Sequence, residues 1–214
     1  MSYKRRYKKK RSRFGRFLRG AAKTAMVAST ALRVAKQVKG LVNVEYKKRD
    51  LAQSESPDNA TLSVAGLCSI GQGDTDQARN GNEVRAKGIQ FRLSLSKHST
   101  ATNTMVRIML LRCVDGGTPT VNILENVGTY RCLAPKASQY ANQFITIKEW
   151  TVVLNQTTPI KIINYYKKLN HHIKWYSTGS TDFKSGSYCL AMLSNEATYL
   201  PNIIGYSRIR FIDN

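Results

Sequence analysis

Basic side chains alternate with aromatic rings over the first 19 residues, a pattern that suits binding to a polyanion. Lysine and arginine neutralise phosphates and release condensed counterions, while exposed aromatic rings offer faces on which unpaired bases stack. The rings in this segment are Tyr3, Tyr7, Phe14 and Phe17. We therefore predict that this segment, with the cations that follow it, binds single-stranded nucleic acid. The predicted phosphate contacts are Lys4, Arg5, Arg6, Lys8, Lys9, Lys10, Arg11, Arg13, Arg16, Arg19, Lys23, Arg33, Lys36 and Lys39.

The positive charge is concentrated at the start of the chain. The 214 residues include 34 Lys and Arg against 13 Asp and Glu, a formal net charge of +21. Residues 1–50 hold 17 basic and 2 acidic residues, a net of +15, while residues 51–214 hold 17 and 11, a net of +6. This asymmetry indicates a basic arm on a more ordinary domain, with nucleic acid or an anionic membrane as the partner. An enzyme for a small neutral substrate is disfavoured.

Two segments make up the predicted arm, residues 1–43. Residues 1–19 carry ten like charges without apolar periodicity, so we expect them to be disordered until phosphates neutralise them. Residues 20–42 are rich in alanine and predict a helix that ends near Gly40. Arg33, Lys36 and Lys39 are three residues apart and would lie on one side of that helix.

Two other roles fit such an arm. It could act as a nuclear-import signal, which is compatible with nucleic-acid binding, or it could lie on an anionic membrane surface. The apolar anchors of residues 20–42 are weak, which disfavours the membrane. No apolar run approaches the roughly 20 residues of a spanning helix, and the N-terminus lacks the apolar core of a secretory signal. We predict a soluble intracellular protein without membrane insertion.

The remaining sequence lacks the patterns of catalytic and metal sites. It contains no phosphate loop, nucleophile elbow or metal-binding helix. His171 and His172 would point to opposite faces of a strand and could not ligate one metal. The segment Gly71–Asp76 favours a turn, and His98 an exposed loop position. We predict no enzyme activity, cofactor or metal. The widely spaced cysteines, predicted to be buried free thiols, are Cys68, Cys113, Cys132 and Cys189.

From Val44 onward the sequence is typical of an all-β domain, residues 44–214. Residues Ile89–Leu95 alternate apolar with polar side chains, and Met105–Cys113 is apolar on both faces. Further predicted strands are Leu62–Ile70, Ile145–Leu154, Ile160–Tyr166, His172–Tyr176, Tyr188–Leu193 and Ile203–Ile212. Eight or nine strands without intervening helices predict a sandwich or barrel, and long connections at 72–83 and 115–144 favour Greek-key topology.

Four stretches of this domain resemble one protein family in their order and spacing. The first runs from Ser69 through Arg79-Asn80-Gly81-Asn82 to Arg92, and the second from Val106 to Asp115. The last two are Gly186–Met192 and Tyr206–Asp213. Together they are similar to the capsid proteins of small circular single-stranded DNA viruses, the circovirus-like group. The resemblance to coat proteins of satellite RNA viruses is more distant.

The resemblance implies a single eight-stranded antiparallel jelly roll, a two-sheet sandwich. It also implies self-assembly into an icosahedral T=1 shell of about 60 copies, with the arm inside on a single-stranded genome, DNA favoured over RNA. About 60 arms at +15 supply roughly 900 positive charges, and the charge of residues 51–214 would line the inner wall. The expected locations are the virion and, during assembly, the host nucleus.

One alternative belongs to another functional class. A non-assembling nucleic-acid-binding β-barrel protein of ribosomal or chromatin type would also carry a basic tail. Such a protein is expected to spread basic residues over the binding face of its body. The 11 acidic residues of the body argue against it.

Overall fold

The computed structural model describes Thr30 and residues 46–126, 128–177, 179 and 181–213. Thr30 is helical. The predicted disorder of residues 1–19, the rest of the predicted helix and all fourteen predicted phosphate contacts lie outside the described residues. Those expectations, and the predicted boundary between residues 43 and 44, remain predictions.

Within the part of the chain that the structure describes, nine strands form two antiparallel sheets. In chain order they are β1 Tyr46–Glu55, β2 Ser63–Gly66, β3 Glu83–Ser96, β4 Thr104–Cys113, β5 Phe144–Leu154, β6 Ile160–Trp175, β7 Phe183–Ser185, β8 Ser187–Ser194 and β9 Asn202–Asp213. The five-stranded sheet has the order β1-β9-β3-β6-β7, and the four-stranded sheet has the order β2-β8-β4-β5.

This strand order is that of a jelly roll. The strands pair as in one long hairpin that has been rolled up: β1 with β9, β2 with β8, β3 with β6, and β4 with β5. Successive pairs of the hairpin alternate between the two sheets. The predicted all-β jelly roll is therefore confirmed. The three-residue β7 is an addition at the edge of the five-stranded sheet.

Two predicted strands turn out to be one, and another is shorter. Ile160–Tyr166 and His172–Tyr176 belong to the continuous β6, whose polar middle pairs with β3 across a bulge between Ala86 and Gly88. That polar stretch belongs to a strand with one solvent-facing side, so it does not interrupt the pairing. The predicted strand Leu62–Ile70 is reduced to β2, although Leu67, Cys68 and Ile70 are buried beyond its end.

Strand β1 was not predicted because its inward-facing side is largely polar. Lys47 and Gln53 on that side are buried, and Lys47 Nζ donates to the carbonyl of Ala78 (3.2 Å) and pairs with Asp213 Oδ2 (3.0 Å). Gln53 Nε2 donates to Ser207 Oγ (2.8 Å). These side chains hydrogen-bond within the sandwich instead of supplying the apolar alternation of a half-buried strand.

The main core lies between the two sheets. The rings of Phe91 and Tyr165 from the five-stranded sheet meet Trp150 of the four-stranded sheet edge to face, with centroids 5.5 and 5.1 Å from it. The alternation predicted for Ile89–Leu95 is confirmed, as is the two-sided burial of Met105–Cys113. At the rim, the guanidinium of the buried Arg79 lies 4.2 Å from the centroid of Trp175 and fixes the loop before β3.

A second core lies on the outer side of the four-stranded sheet. The connection between β4 and β5 crosses this side and contains the 3₁₀ turns Val121–Ile123, Gly128–Leu133 and Ser138–Tyr140. The buried residues of this second core are Leu62, Met109, Leu111, Cys113, Ile123, Leu124, Cys132, Ala134, Cys189, Ala191 and Leu193. The chain therefore covers the outside of one of its own sheets.

Candidate nucleic-acid-binding surface

A second concentration of positive charge lies in the described domain, on the outer side of the five-stranded sheet. We call this surface the basic face and define it by the outward-facing residues of β1, β9, β3 and β6. It carries eight basic and two acidic residues, a net of +6, while residues 46–213 as a whole hold 20 and 12, a net of +8. The ten charged residues are Lys48, Asp50, Glu83, Arg85, Lys87, Arg92, Lys168, Lys174, Arg208 and Arg210.

The strand register sets these charges side by side. Lys48 of β1 is opposite Arg210 of β9, which is opposite Gly88 of β3, which is opposite Lys168 of β6. We call this the cationic row. Neighbouring strands are about 4.8 Å apart, so the row brings three cations across four strands with a gap only at Gly88. Partial burial, with the charges of Arg85 and Lys168, lowers the pKa of the adjacent Lys87.

Both acidic residues of the basic face are engaged by neighbouring cations. Arg208 Nε donates to Asp50 Oδ1 (2.5 Å) and Nη2 donates to Oδ2 (2.7 Å), and this hydrogen bonding lowers the pKa of Asp50. Glu83 pairs with His172 and, at 3.2 Å, with Lys174.

Six cations of the basic face have no carboxylate partner among the described residues: Lys48, Arg85, Lys87, Arg92, Lys168 and Arg210. The face thus has positive charge to offer to an anionic partner.

Three tyrosines stand among these cations with much of their surface in solvent. Tyr46 and Tyr206 are 70% exposed and Tyr166 is 55% exposed. The ring of Tyr166 lies over Gly88, where an added Cβ would come within 3.2 Å of the ring. Glycine at that position therefore gives the ring a flat support. Rings held in this way next to cations are the components of a stacking surface for unpaired bases.

Two shallow grooves adjoin each other on the basic face and share Arg92 and Tyr206. One, of about 430 Å³, extends past Gln90 toward the Asp50–Arg208 pair. The other, of about 450 Å³, extends toward Ile162 and Ile204 and is largely apolar. The face therefore changes along its strands from a cationic end to an apolar end, with Tyr206 between them.

The histidines and cysteines lie in structural positions, as the sequence predicted. His171 and His172 point to opposite sides of β6: His171 Nε2 bonds to the carbonyl of Gly186 and Nδ1 to the hydroxyl of Tyr188, both at 2.8 Å, whereas His172 contacts Glu83 on the basic face. His98 is exposed and stacks on Tyr199. All four cysteines are free and buried, and burial raises the pKa of Cys68 to about 12.

Within the described ranges, His, Cys, Asp and Glu side chains form no group of three that could hold a metal ion. In the same part of the chain, no helix has the length and apolar character needed to cross a membrane. The residues expected to form a turn, Gly71–Asp76, do so beside an isolated bridge between Gln72 and Arg79.

The sequence predicts the net positive charge of residues 51–214 but not the surface on which that charge lies. The signal was present as cations at alternate positions, Arg208 and Arg210 in β9 and Arg85 and Lys87 in β3. These cations form one face only because β3 and β9, which are more than 100 residues apart in the chain, pair with each other.

Comparison with known proteins identifies no close relative. No family model matches the sequence, and no curated protein matches it. Among solved structures, one of Desmodium yellow mottle tymovirus is 12% identical with a TM-score of 0.40, over 78% of this chain and 87% of that chain. One of broad bean stain virus is 12% identical with a TM-score of 0.39, over 76% and 84%. A bacterial lipoprotein from Bacteroides thetaiotaomicron is 6% identical with a TM-score of 0.34, over 80% and 88%. Because these TM-scores are low, the fold assignment rests on the strand order.

Proposed function

We propose that this chain is a viral capsid protein that assembles into a small icosahedral shell of about 60 copies and packages a single-stranded genome. The observation that carries the proposal is the joint presence, in one chain, of jelly-roll strand order and an N-terminal segment, residues 1–43, with 14 basic and no acidic residues. A jelly roll supplies a rigid wall with long loops for subunit contacts, and the segment supplies charge for a polyanion. The resemblance of Ser69–Arg92 and the three later stretches to circovirus-like capsid proteins supports single-stranded DNA as the genome.

The mechanism is charge neutralisation inside a symmetric container. The ten cations of residues 1–19, with Lys23, Arg33, Lys36 and Lys39, contact phosphates without reading base sequence. Each copy brings the same arm, so the number of neutralised phosphates scales with the number of subunits. The arm also serves as a nuclear-import signal during assembly in the host.

The experiment compares three full-length proteins by electron microscopy and by nuclease-protected nucleic acid per particle. The arm variant replaces the ten Lys and Arg of residues 1–19 with Gln. Its control replaces three exposed cations of the domain, Lys148, Lys161 and Lys184, with Gln. We expect closed shells with protected nucleic acid for wild type and control, and empty shells or free subunits for the arm variant. Full packaging by the arm variant would show that the arm is not the packaging element.

A second candidate is a non-assembling nucleic-acid-binding protein, and one observation favours it. Such a protein was expected to spread cations over a face of its body, and the basic face has this arrangement. Size-exclusion chromatography separates the two, because a shell elutes in the void volume and the second candidate as a monomer or dimer.

A further inference from the structure

We propose that the basic face is a second binding site for single-stranded nucleic acid, separate from the arm, in which the cationic row holds phosphates while Tyr166 and Tyr206 stack bases. The inference rests on the proposed function for the identity of its ligand. It stands on different residues, however, so that either can fail without the other.

The charge of the face selects an anionic partner. Six of its eight cations have no acidic partner among the residues that the structure describes, and its two carboxylates, Asp50 and Glu83, are already engaged. An antiparallel sheet exposes this side because polar residues alternate with core residues along each strand. A partner with phosphates would displace counterions from Lys48, Arg210 and Lys168 together.

The aromatic residues select unpaired bases. Tyr166 of β6 and Tyr206 of β9 flank β3 on its two sides, Tyr166 opposite Gln90 and Tyr206 opposite Arg92, two residues further along β3. Bases within a duplex are already stacked on each other and cannot also stack on these rings. A single strand can place bases on the rings and in the adjoining grooves while its phosphates reach the cations on either side.

Two other occupants fit the face less well. A second copy docking the same face would bring two surfaces of net +6 together, and like charges repel. An anionic membrane would need apolar side chains spread among the cations, but Ile160, Ile162 and Ile204 are gathered at one end of the face. Each of these occupants is an outcome that the experiment can detect.

The first experiment measures binding of a fluorescent single-stranded DNA of about 20 nucleotides by anisotropy over a range of salt concentrations. The face variant K48Q/K168Q/R210Q is compared with the matched control K148Q/K161Q/K184Q, which removes the same charge from exposed sites elsewhere. Both sets are made in the full chain, with the arm intact and with its first ten cations changed to Gln. Each phosphate contact contributes about 0.7 to the slope of log K against log salt, so the face variant should lose about 2 units of slope.

The second experiment tests the stacking residues. Y166L and Y206L should each weaken binding about ten-fold, as expected for the loss of one stacked base. The control is Y199L, which removes an exposed tyrosine that stacks on His98 elsewhere in the domain. Ultraviolet crosslinking followed by mass spectrometry of peptides should place crosslinks within Asn202–Asp213 and Ile160–Trp175.

Equal slopes for the face variant and its control in both backgrounds, or crosslinks confined to the arm, would overturn the inference. Binding of the arm-neutralised protein to phosphatidylserine vesicles but not to DNA would assign the face to a membrane instead. A dimer lost in the face variant would assign it to a second copy. Face-dependent DNA binding in a chain that forms no shell would support the inference and contradict the capsid proposal.

Discussion

The outer sides of the two sheets differ in composition and in whether the rest of the chain covers them. The four-stranded sheet presents Met109, Leu111 and Leu193 outward, and the connection between β4 and β5 buries them. The five-stranded sheet presents cations and tyrosines outward, and no described segment covers them. An apolar outer side must be buried within the fold, whereas a charged side can remain in water until a partner arrives. The outer side of the four-stranded sheet is therefore part of a core, whereas the outer side of the five-stranded sheet is exposed and can bind a partner.

Truncating an apolar side chain should give the largest difference in unfolding free energy between the two outer sides. Ile123 is 4% exposed beneath the β4–β5 connection, and Ile162 is 56% exposed on the basic face. We expect Ile123→Ala to lower the free energy of unfolding by about 2–4 kcal/mol, because it leaves a cavity. Ile162→Ala should cost less than about 1 kcal/mol, mostly through strand propensity. Urea denaturation measures both, and equal losses would mean that the two sides do not differ in this way.

Removing a cation should give the next largest difference. Arg107 is buried, pairs with Glu149 (Nε to Oε1, 2.8 Å) and donates to the carbonyls of Cys132 and Ala134. Arg107→Met leaves those acceptors unsatisfied and should cost about 2–3 kcal/mol. Arg210→Met on the basic face should change stability by less than about 0.5 kcal/mol. A small effect at Arg107 in thermal or urea unfolding would show that these bonds do not hold the β4–β5 connection on the sheet.

The pH dependence of stability tests the contact between the two sheets at His171. Burial holds the pKa of His171 below its usual value, and the charges of Arg112 and His172 lower it further. The hydrogen bond to Gly186 raises the pKa but does not cancel these effects. The unfolded chain then binds more protons than the folded chain, so stability should fall as the pH drops from about 7 to about 5. His171→Gln should flatten that fall, whereas His98→Gln controls for the loss of a histidine. Identical pH profiles for His171→Gln and wild type would rule out this source of acid sensitivity.

The smallest effect is expected at the ion pair on the basic face. Asp50 and Arg208 are both well exposed, so Asp50→Asn should change stability by about 0.5 kcal/mol or less. The same change frees Arg208 for a phosphate and should raise affinity for single-stranded DNA by about two-fold. The matched substitution Asp115→Asn removes an acidic residue outside both sheets and should leave affinity nearly unchanged. Weaker binding by Asp50→Asn would indicate that the pair itself forms the site.

Local sequence patterns were sufficient where a strand has an apolar side. The alternation of Ile89–Leu95, the two-sided burial of Met105–Cys113 and the opposed positions of His171 and His172 were all predicted correctly. Strand order was accessible only through the resemblance to a family, because Greek-key pairings join distant segments. The arm carries the clearest sequence signal, and its predicted residues remain predictions.

The missed features depend on long-range pairing. In strand β1, Lys47 and Gln53 are buried and bond to Asp213 and Ser207, which lie more than 150 residues away in the chain. The basic face likewise exists only when β1, β9, β3 and β6 lie side by side. Each strand alone shows an ordinary solvent-facing side, and the concentration of charge appears when the register is known.

Electron cryo-microscopy of particles assembled from the full chain with single-stranded DNA would show whether the chain forms a shell and where the nucleic acid binds. We expect a closed shell of about 60 copies in which the basic face lines the lumen and nucleic-acid density contacts Tyr166 and Tyr206. The β4–β5 connection would then lie away from the genome. Free monomers or dimers in place of shells, or shells with the basic face on the outside, would contradict this expectation.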